Sequence, residues 1–484
     1  MPADTPDRRG RLAYNLGGLA MLALLIGAAV CWRERILFTD PSFILFRMLL
    51  EGQPIISEHR YGAVVTQVFP LIGFRLGLPL AMVCWFYSVS FYVFHTAIYL
   101  VLGLRWRQYG LALLLPLYLT LIVSDVYFWP NNEIHQAVGW GLLFVGCYLH
   151  LRPRPLGVWQ HVVLLVLLLI TTNTHPLVAA PLTFVWVTFV WARSGGWRGL
   201  LPRDGLYTLA IGLGIGLRYY LSHESWYDGY KLQGVRALDW SAVTASFQSG
   251  QLRTMLGYAE LYWPLAVVAL VGCYAAIRSR AYGVLLLTML AGVVYTVLVC
   301  VTYPGGFGRV QLYYFESEWM GLGLILAVPF ILYGLPKLPR YVMVAVLLIS
   351  FGARTRVLAD SYAYYHQRVN NLGIVTETLR EAGMPKVISY PATDWQAYFG
   401  ITWGLPLETL WASALADPAA ISLKVVDTEG EVATAVTDFR SNFKRLRISE
   451  MPTEYFGVDT TGGYRLLTTE ESETLRELLQ PLPD

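Results

Sequence analysis

Charged side chains are scarce in this sequence. Of its 484 residues, 14% are Asp, Glu, Lys or Arg, whereas 55% are hydrophobic. A typical soluble domain has about 25% charged residues, so this balance excludes an ordinary soluble enzyme and indicates an integral membrane protein. The net charge of +3 is small for such a long chain, and nucleic acid is therefore not an expected partner.

Cysteine is also scarce. The five cysteines lie within or at the ends of apolar runs, where a free thiol behaves as a small hydrophobic group: Cys31, Cys84, Cys147, Cys273 and Cys300. Their spacing fits neither a disulfide framework nor a zinc site. The sequence also lacks a nucleotide-binding loop and a Ser-His-Asp order, which removes the common soluble enzyme classes from consideration.

Apolar runs long enough to cross a bilayer are abundant. A bilayer core needs roughly 20 apolar residues per helix, with about 17 to 25 tolerated. The sequence predicts an α-helical polytopic membrane protein with eleven spans: 12–31, 78–103, 108–124, 133–150, 157–172, 176–192, 205–221, 259–277, 282–302, 319–335 and 339–353. The first run lacks a small-residue cleavage site, so we expect it to be a retained anchor.

Lys and Arg cluster in alternate connections between these spans. Arg8 and Arg9 precede the first span, and Arg105 and Arg107 follow the second. Because basic residues near span ends are retained in the cytoplasm, the N-terminus is predicted to be cytoplasmic. An odd number of spans then places the C-terminal part outside the cell inner membrane, in the periplasm of a diderm bacterium.

The predicted organisation has two parts. Residues 1–353 form a membrane module with a long first outer loop, 32–77, whose amphipathic stretches suggest helices lying at the membrane interface. Residues 354–484 form a small C-terminal α/β soluble domain, in which helical stretches alternate with the strand-like segments KVISYPA and AISLKVVD. Nearly every acid and histidine of the membrane module falls in the outer connections, so chemistry is expected on the outer face.

The stretch FTDPSFILFR, residues 38–47, directly follows the first span and places Asp40 where the chain leaves the membrane. This acid, the long first outer loop and the many further spans resemble the layout of the GT-C glycosyltransferases. The resemblance covers residues 1–353 in layout, and Asp40 is its only local match. It implies transfer of a sugar from a polyprenyl-phosphate-linked donor to a glycan, lipid or protein acceptor, with Asp40 as the catalytic base or as the residue that orients the acceptor.

Asp40 also departs from the pattern of that family. Many members carry a paired acid, whereas Asp40 is followed by Pro41 and Ser42. A role for a divalent metal, Mg²⁺ or Mn²⁺, is therefore left open. Asp40 has a second interpretation as a helix N-cap, because Asp before Pro is a common helix start. The two roles are compatible.

The departing phosphate would need positive charge beside it, and Arg309 is the first candidate. It lies in GGFGRVQLYYFESEW, where a helix would bring Arg309, Tyr313 and Glu316 onto one face. We therefore group Tyr313 with the substrate-binding residues. The alternative role for Arg309 is an ion pair with Glu316 or Glu318 at a hydrated helix end.

Two further cations are ranked behind Arg309. Arg218 lies near the outer end of the seventh predicted span, and its alternative role is to extend its charge to the lipid headgroups. Lys231 is the third candidate.

The remaining candidates for substrate binding are polar residues of the outer loops: Glu58, His59, Glu133, His135 and His175. Asn131 or Asn132 can instead serve as the cap of the fourth span, with Glu133 in its first turn. Trp226 and Tyr227 can stack on a sugar ring or belong to the aromatic belt at the membrane interface.

Other classes fit parts of this pattern. A ligase or polymerase acting on lipid-linked saccharide would share the long loops and arginines, and a non-catalytic assembly subunit is a further alternative. A transporter or flippase would place ionisable residues near the bilayer midplane, often with an internal repeat, and the sequence shows neither. A cleft faced by Asp40 beside a lipid-accessible groove would favour the transferase.

Overall fold

Helices dominate the computed structural model, which describes residues 8–417, 419–439, 452, 455–457 and 460–483. The N-terminal half contains α1 (Arg8–Val30), α2 (Trp32–Ile36), α3 (Thr39–Glu51), α4 (Val64–Arg75), α5 (Leu80–Leu100), α6 (Tyr109–Leu121), α7 (Glu133–Leu151), α8 (Val158–Thr174), α9 (Ala179–Ser194) and α10 (Pro202–Leu221). Four short helices follow: α11 (Trp226–Lys231), α12 (Gln233–Arg236), α13 (Trp240–Ser246) and α14 (Gly250–Gly257).

The second half returns to long helices and then adds a small sheet. Its helices are α15 (Trp263–Arg278), α16 (Tyr282–Thr302), α17 (Leu312–Pro329), α18 (Leu335–Lys337), α19 (Arg340–Glu381), α20 (Gln396–Phe399), α21 (Leu405–Ala414), α22 (Glu429–Thr437) and α23 (Thr469–Glu477). The strands are β1 (Lys386–Ser389), β2 (Ser422–Val425) and β3 (Arg465–Leu466). They pair in parallel in the order β2-β1-β3, and the predicted strands KVISYPA and AISLKVVD supply β1 and β2.

Within the described residues, eight helices are long and apolar enough to cross a membrane: Arg8–Val30, Leu80–Arg105, Glu133–Leu151, Pro176–Ser194, Ala259–Arg278, Tyr282–Thr302, Arg309–Lys337 and Arg340–Glu381. They fall at eight of the eleven predicted spans. Two more predicted spans correspond to the shorter apolar helices Tyr109–Leu121 and Val158–Thr174, and the predicted span 205–221 lies in α10. The fold is therefore predominantly helical and compatible with a polytopic membrane protein, while the count of eleven crossings stays a prediction.

The last predicted span is not a separate element. The sequence predicts a span that ends at residue 353 and a soluble domain that begins at residue 354, but α19 runs through both segments over 42 residues. The intervening ARTRVLAD, residues 353–360, contains no proline or glycine, so nothing in the sequence ends the helix there. The predicted domain boundary at residue 354 therefore falls inside a continuous helix.

Buried apolar side chains form two clusters. The larger cluster lies in the helical bundle. The second joins α2 to α5 with the C-terminal α/β unit, for example through Phe46 of α3 and Trp411 of α21. The C-terminal unit therefore shares a core with the segment from α2 to α5, and α21 packs directly on α3.

Candidate functional site

A cavity of about 260 Å³ is bordered by α3, α7, α11 and α17. Carboxylates and aromatic rings dominate its wall, and we call it the acidic cavity: Asp40, Glu58, Glu133, Glu318, Trp129, Trp226, Tyr227, Tyr303 and Tyr314. The cavity volume lies just below the range of about 300–1,000 Å³ that is typical of sites for drug-sized ligands, so the acidic cavity suits a smaller group such as a single sugar. Three predicted site residues, Asp40, Glu58 and Glu133, meet here, and His175 also lies in the wall.

Asp40 lies in the first turn of α3 and is partly exposed. The N-cap of α3 is Phe38, which has an extended backbone and no capping side chain. Pro41 follows within the first turn, where the missing N–H leaves no intrahelical bond unmade. The capping interpretation of Asp40 is therefore wrong, and its carboxylate stands near the N-terminus of α3, where negative charge is favoured.

A buried arginine that the sequence analysis missed, Arg60, links two parts of the wall. Its Nη1 lies 3.0 Å from Glu133 Oε2 and its Nη2 lies 2.7 Å from Asp228 Oδ1. Asp228 also forms an ion pair with Arg218. Burial acts to lower the pKa of Arg60, but the charges of Glu133 and Asp228 outweigh it and the net pKa is raised. Arg60 is therefore a permanent cation held between two carboxylates.

Glu58 reaches the acidic cavity from a tight turn. Its φ of +53° and the +59° of His59 are uncommon for residues other than glycine. Ser225 donates a hydrogen bond to Glu58 Oε2. Burial, followed by the charge of Asp228, raises the pKa of Glu58. The only sequence signal for the neighbouring Arg60 was its place in the charged stretch SEHR.

Lys231 lies over three of the cavity's tyrosine rings. Its Nζ is 4.8 Å from the ring centroid of Tyr303, 5.6 Å from that of Tyr227 and 5.9 Å from that of Tyr314. The hydroxyls of Tyr227 and Tyr314 are 2.7 Å apart and hydrogen-bonded. In the part of the chain that the structure describes, the ammonium makes no hydrogen bond and no ion pair within 4 Å. Burial lowers the pKa of Lys231, and Glu318 acts in the opposite direction.

Glu318 is a buried carboxylate in the wall. Its Oε2 accepts a hydrogen bond of 2.7 Å from Gln251 Nε2, and Gln251 Oε1 accepts one of 2.8 Å from Trp319 Nε1. The second oxygen, Oε1, is buried and has no hydrogen-bond partner among the described residues. A buried polar atom of this kind commonly marks a ligand or water site.

Arg309 lies outside the acidic cavity. Its guanidinium pairs with Asp125 and lies 4.7 Å from the ring centroid of Tyr364. Glu316 instead accepts hydrogen bonds from the backbone of Ser124 and Val126, at 2.9 and 2.8 Å. Neither Glu316 nor Glu318 is therefore the ion-pair partner of Arg309.

The other predicted site residues lie behind or beside the wall. His135 is buried between helices, with Nδ1 2.9 Å from the Tyr118 hydroxyl. Tyr313 packs on Phe38 and on Trp129, with ring centroids 5.0 and 4.9 Å apart. His59 is exposed.

The structure bears on the alternative roles of Arg218, as a cation extended to the lipid headgroups, and of Asn132, as a helix cap. Arg218 is 2% exposed and pairs with Asp228, so it does not extend to the lipid headgroups. Asn132 caps α7 by accepting a hydrogen bond of 3.1 Å from Ile134 N, as its capping interpretation predicts.

An apolar groove of about 490 Å³ lies between α1 and α19. Its wall includes Leu24 and Leu358, together with Tyr127 and Phe128 of the segment that joins α6 to α7. The next residue of that segment, Trp129, lies in the wall of the acidic cavity. A single short segment thus contributes to both the polar cavity and the apolar groove.

The carboxylates of the acidic cavity do not converge on one point as the ligands of an all-protein metal site would. Although four carboxylates lie in its wall, the described residues contain no group of three or more His, Cys, Asp or Glu side chains arranged to hold a metal ion. Mg²⁺ and Mn²⁺ prefer several oxygen ligands. Mg²⁺ is often held by one or two carboxylates together with the phosphates of a substrate, so a role for Mg²⁺ or Mn²⁺ stays a prediction.

The sequence matches no protein family model and no curated protein. Any function must therefore be argued from the chemistry of the acidic cavity and the apolar groove.

Proposed function

We propose that this protein transfers a sugar from a polyprenyl-phosphate-linked donor to a glycan, lipid or protein acceptor. The observation that carries the proposal is the position of Asp40 in a polar cavity of sugar size, beside an apolar groove with which the cavity shares the segment 127–129. This pairing suits a substrate that has a polar head and a hydrocarbon tail. The layout that resembles the GT-C glycosyltransferases supports the same reaction.

Asp40 is the proposed base. In the transfer step its carboxylate takes the proton of an acceptor hydroxyl, and the hydroxyl oxygen forms a bond to the anomeric carbon of the donor sugar. The bond between that carbon and the phosphate oxygen breaks, and polyprenyl phosphate leaves with the electron pair. A positioned base of this kind typically contributes about 100- to 10,000-fold to the rate.

The phosphate of the donor is proposed to lie near Lys231. This ammonium carries no hydrogen bond or ion pair from the described residues, and it lies over rings that border the acidic cavity. Arg309, the first candidate from the sequence, is already paired with Asp125 outside the cavity. A cation without a protein partner can interact with a phosphate without first giving up another anion.

The apolar groove is proposed to hold the first isoprene units of the donor. Its volume of about 490 Å³ and the aliphatic residues of α1 and α19 suit a hydrocarbon chain. Glu58 and Glu133 would accept hydrogen bonds from sugar hydroxyls, and the ring of Tyr227 would pack on the sugar face.

The proposed location is the cell inner membrane, with the N-terminus in the cytoplasm and the acidic cavity and C-terminal unit in the periplasm. The support is the alternation of basic connections along eleven crossings. The proposal includes no metal-dependent step.

The test uses purified protein in nanodiscs. Radiolabelled undecaprenyl phosphate serves as the binding probe, and a panel of undecaprenyl-phosphate hexoses and pentoses is offered with lipids and glycans extracted from the host envelope as acceptors. We expect one donor to be consumed and its label to move to an acceptor. Absence of both binding and donor consumption across the panel would reject the proposed donor class.

Two lysine variants make the binding assay specific. Lys231→Met should weaken binding of undecaprenyl phosphate by about tenfold, equivalent to about 1.4 kcal/mol, because it removes the cation but keeps the length of the side chain. Lys337→Met is the matched control, since Lys337 also lies over a tyrosine ring, 5.8 Å from the centroid of Tyr333, and neither residue lies in the wall of the acidic cavity. Equal binding by both variants would remove Lys231 from the site.

A further inference from the structure

The segment that carries Asp40 is held by the C-terminal unit. Glu408 of α21 is completely buried, and its Oε1 accepts a hydrogen bond of 2.6 Å from the backbone N–H of Thr39. Thr39 is the first residue of α3, whose N-cap, Phe38, offers no capping side chain. Glu408 therefore accepts a hydrogen bond from one of the free N–H groups at the start of α3, as an N-cap side chain usually does. It does so from a position far away in the sequence.

A second contact fixes the residues just before α3. Arg368 of α19 forms a buried ion pair with Glu408 and donates a hydrogen bond of 2.7 Å from Nη1 to the carbonyl oxygen of Leu37. Its guanidinium carbon lies 5.2 Å from the ring centroid of Phe38. The pair of Arg368 and Glu408 thus holds one carbonyl and one amide on either side of Phe38.

Two further contacts link the C-terminal unit to the start of α3. Trp411 Nε1 donates a hydrogen bond of 3.1 Å to the carbonyl oxygen of Ser42. A Cβ added to Gly404 would lie 3.1 Å from Thr39 Cα and 2.5 Å from Glu408 Oε1. The backbone on both sides of Asp40 is therefore fixed from α21, and the close approach requires glycine at position 404.

We propose that Glu408, supported by Arg368, is a positioning residue that holds Asp40 at the acidic cavity. The proposal rests on the proposed function, since it assumes that Asp40 is the base. A base must come within about 2.6–3.2 Å of the proton that it removes, and an error of about 1 Å can cost roughly 100-fold in rate. The C-terminal unit then belongs to the catalytic apparatus, in addition to any contact it makes with an acceptor.

The test separates positioning from stability. In the double variant Glu408→Leu/Arg368→Met, both charges are removed together, so no unpaired buried charge is left to prevent folding. The amide of Thr39 and the carbonyl of Leu37 then lose their anchors. Ser389→Ala is the matched control, because it removes a buried hydrogen bond of 3.0 Å from Trp395 Nε1 in the same unit.

The first readout is sugar transfer from the undecaprenyl-phosphate donor that the wild-type protein uses. The double variant should lower kcat by about 30- to 100-fold and leave KM for the donor within about threefold, while Ser389→Ala leaves both unchanged. Glu408→Gln, which keeps an acceptor for the Thr39 amide, should retain more kcat than the double variant. Wild-type kcat in the double variant overturns the proposal, as does an equal loss in the control.

The second readout needs no donor. Asp40→Cys is alkylated with N-ethylmaleimide, and the modified peptide is quantified by mass spectrometry so that the native cysteines do not interfere. The alkylation rate at position 40 should change by about fivefold or more when Glu408→Leu/Arg368→Met is added, because thiol reactivity follows exposure and surroundings, and it should not change with Ser389→Ala. An unchanged rate overturns the positioning role. If the rate changes but the wild-type protein consumes no donor from the panel, the result supports the positioning of residue 40 and rejects the transferase proposal instead.

Discussion

Arg60 gives the sharpest test of how the acidic cavity is held together. The side chains of Arg60 and Asp228 are 9% and 3% exposed, and that of Glu133 is 20% exposed. Removing one partner of a buried ion pair typically costs about 3–5 kcal/mol. Asp228 keeps Arg218 as a partner and Glu133 can be partly hydrated, so Arg60→Met should lower the free energy of unfolding by about 3 kcal/mol, at the low end of that range.

Segment 32–77, which contains Arg60, also offers a matched control. Arg47 and Glu51 form an ion pair of 2.7 Å with side chains 30% and 31% exposed, and such surface pairs contribute about 0–1 kcal/mol. The assay is unfolding by SDS in mixed micelles, followed by tryptophan fluorescence. Arg60→Met should be destabilised by about 2 kcal/mol more than Arg47→Met. Adding Glu133→Gln to Arg60→Met should recover part of the lost free energy of unfolding, because Glu133 then no longer carries an unpaired charge. Equal stability of the Arg60 and Arg47 variants would refute the reasoning.

Three further predictions concern the neighbouring charges and the topology. Burial and Asp228 raise the pKa of Glu58, so the folded state keeps this proton to higher pH than the unfolded chain. The free energy of unfolding should therefore fall as the pH rises from about 4.3 through the raised pKa. Glu58→Gln should reduce that fall and be more stable than wild type at pH 7, and an unchanged pH dependence of unfolding would contradict this. Arg309→Met should have a lower free energy of unfolding, because Asp125 loses its ion-pair partner. Its Kd for undecaprenyl phosphate should stay within about threefold of the wild-type value. A larger loss of affinity would show that Arg309 contributes to phosphate binding. A reporter that is active only in the periplasm, fused after residue 483, should be active, and a cytoplasmic result would reject the eleven-crossing topology.

Most of the helical architecture could be predicted from the sequence because a membrane span is a local property. About 20 consecutive apolar residues identify a span without knowledge of its neighbours. The continuation of α19 from the last predicted span into the C-terminal unit could not be predicted in this way. The segment 353–360 is less apolar than the span before it, and this change predicted the end of the span. The segment contains no proline or glycine, however, so the helix continues through it.

The acidic cavity was predictable only in part. Asp40 was predicted from the layout that resembles the GT-C glycosyltransferases, and Glu58 and Glu133 were predicted from their places in polar connections between spans. The pairing of Arg309 with Asp125 joins residues 184 positions apart, and the rings around Lys231 come from three separate segments. No local pattern marks such contacts. The support of Asp40 by Glu408 is hidden for the same reason, since 369 positions separate Glu408 from Thr39.

Asp40→Asn is the measurement that tests the proposed reaction most directly. The amide keeps the size of the side chain but cannot take the proton of the acceptor, and Asp40 is not the N-cap of α3. In nanodiscs, with binding of undecaprenyl phosphate measured on the same samples, the variant should bind the probe as the wild type does and transfer sugar about 100- to 10,000-fold more slowly. An Asp40→Asn protein that transfers sugar at the wild-type rate would contradict the assignment of Asp40 as the base.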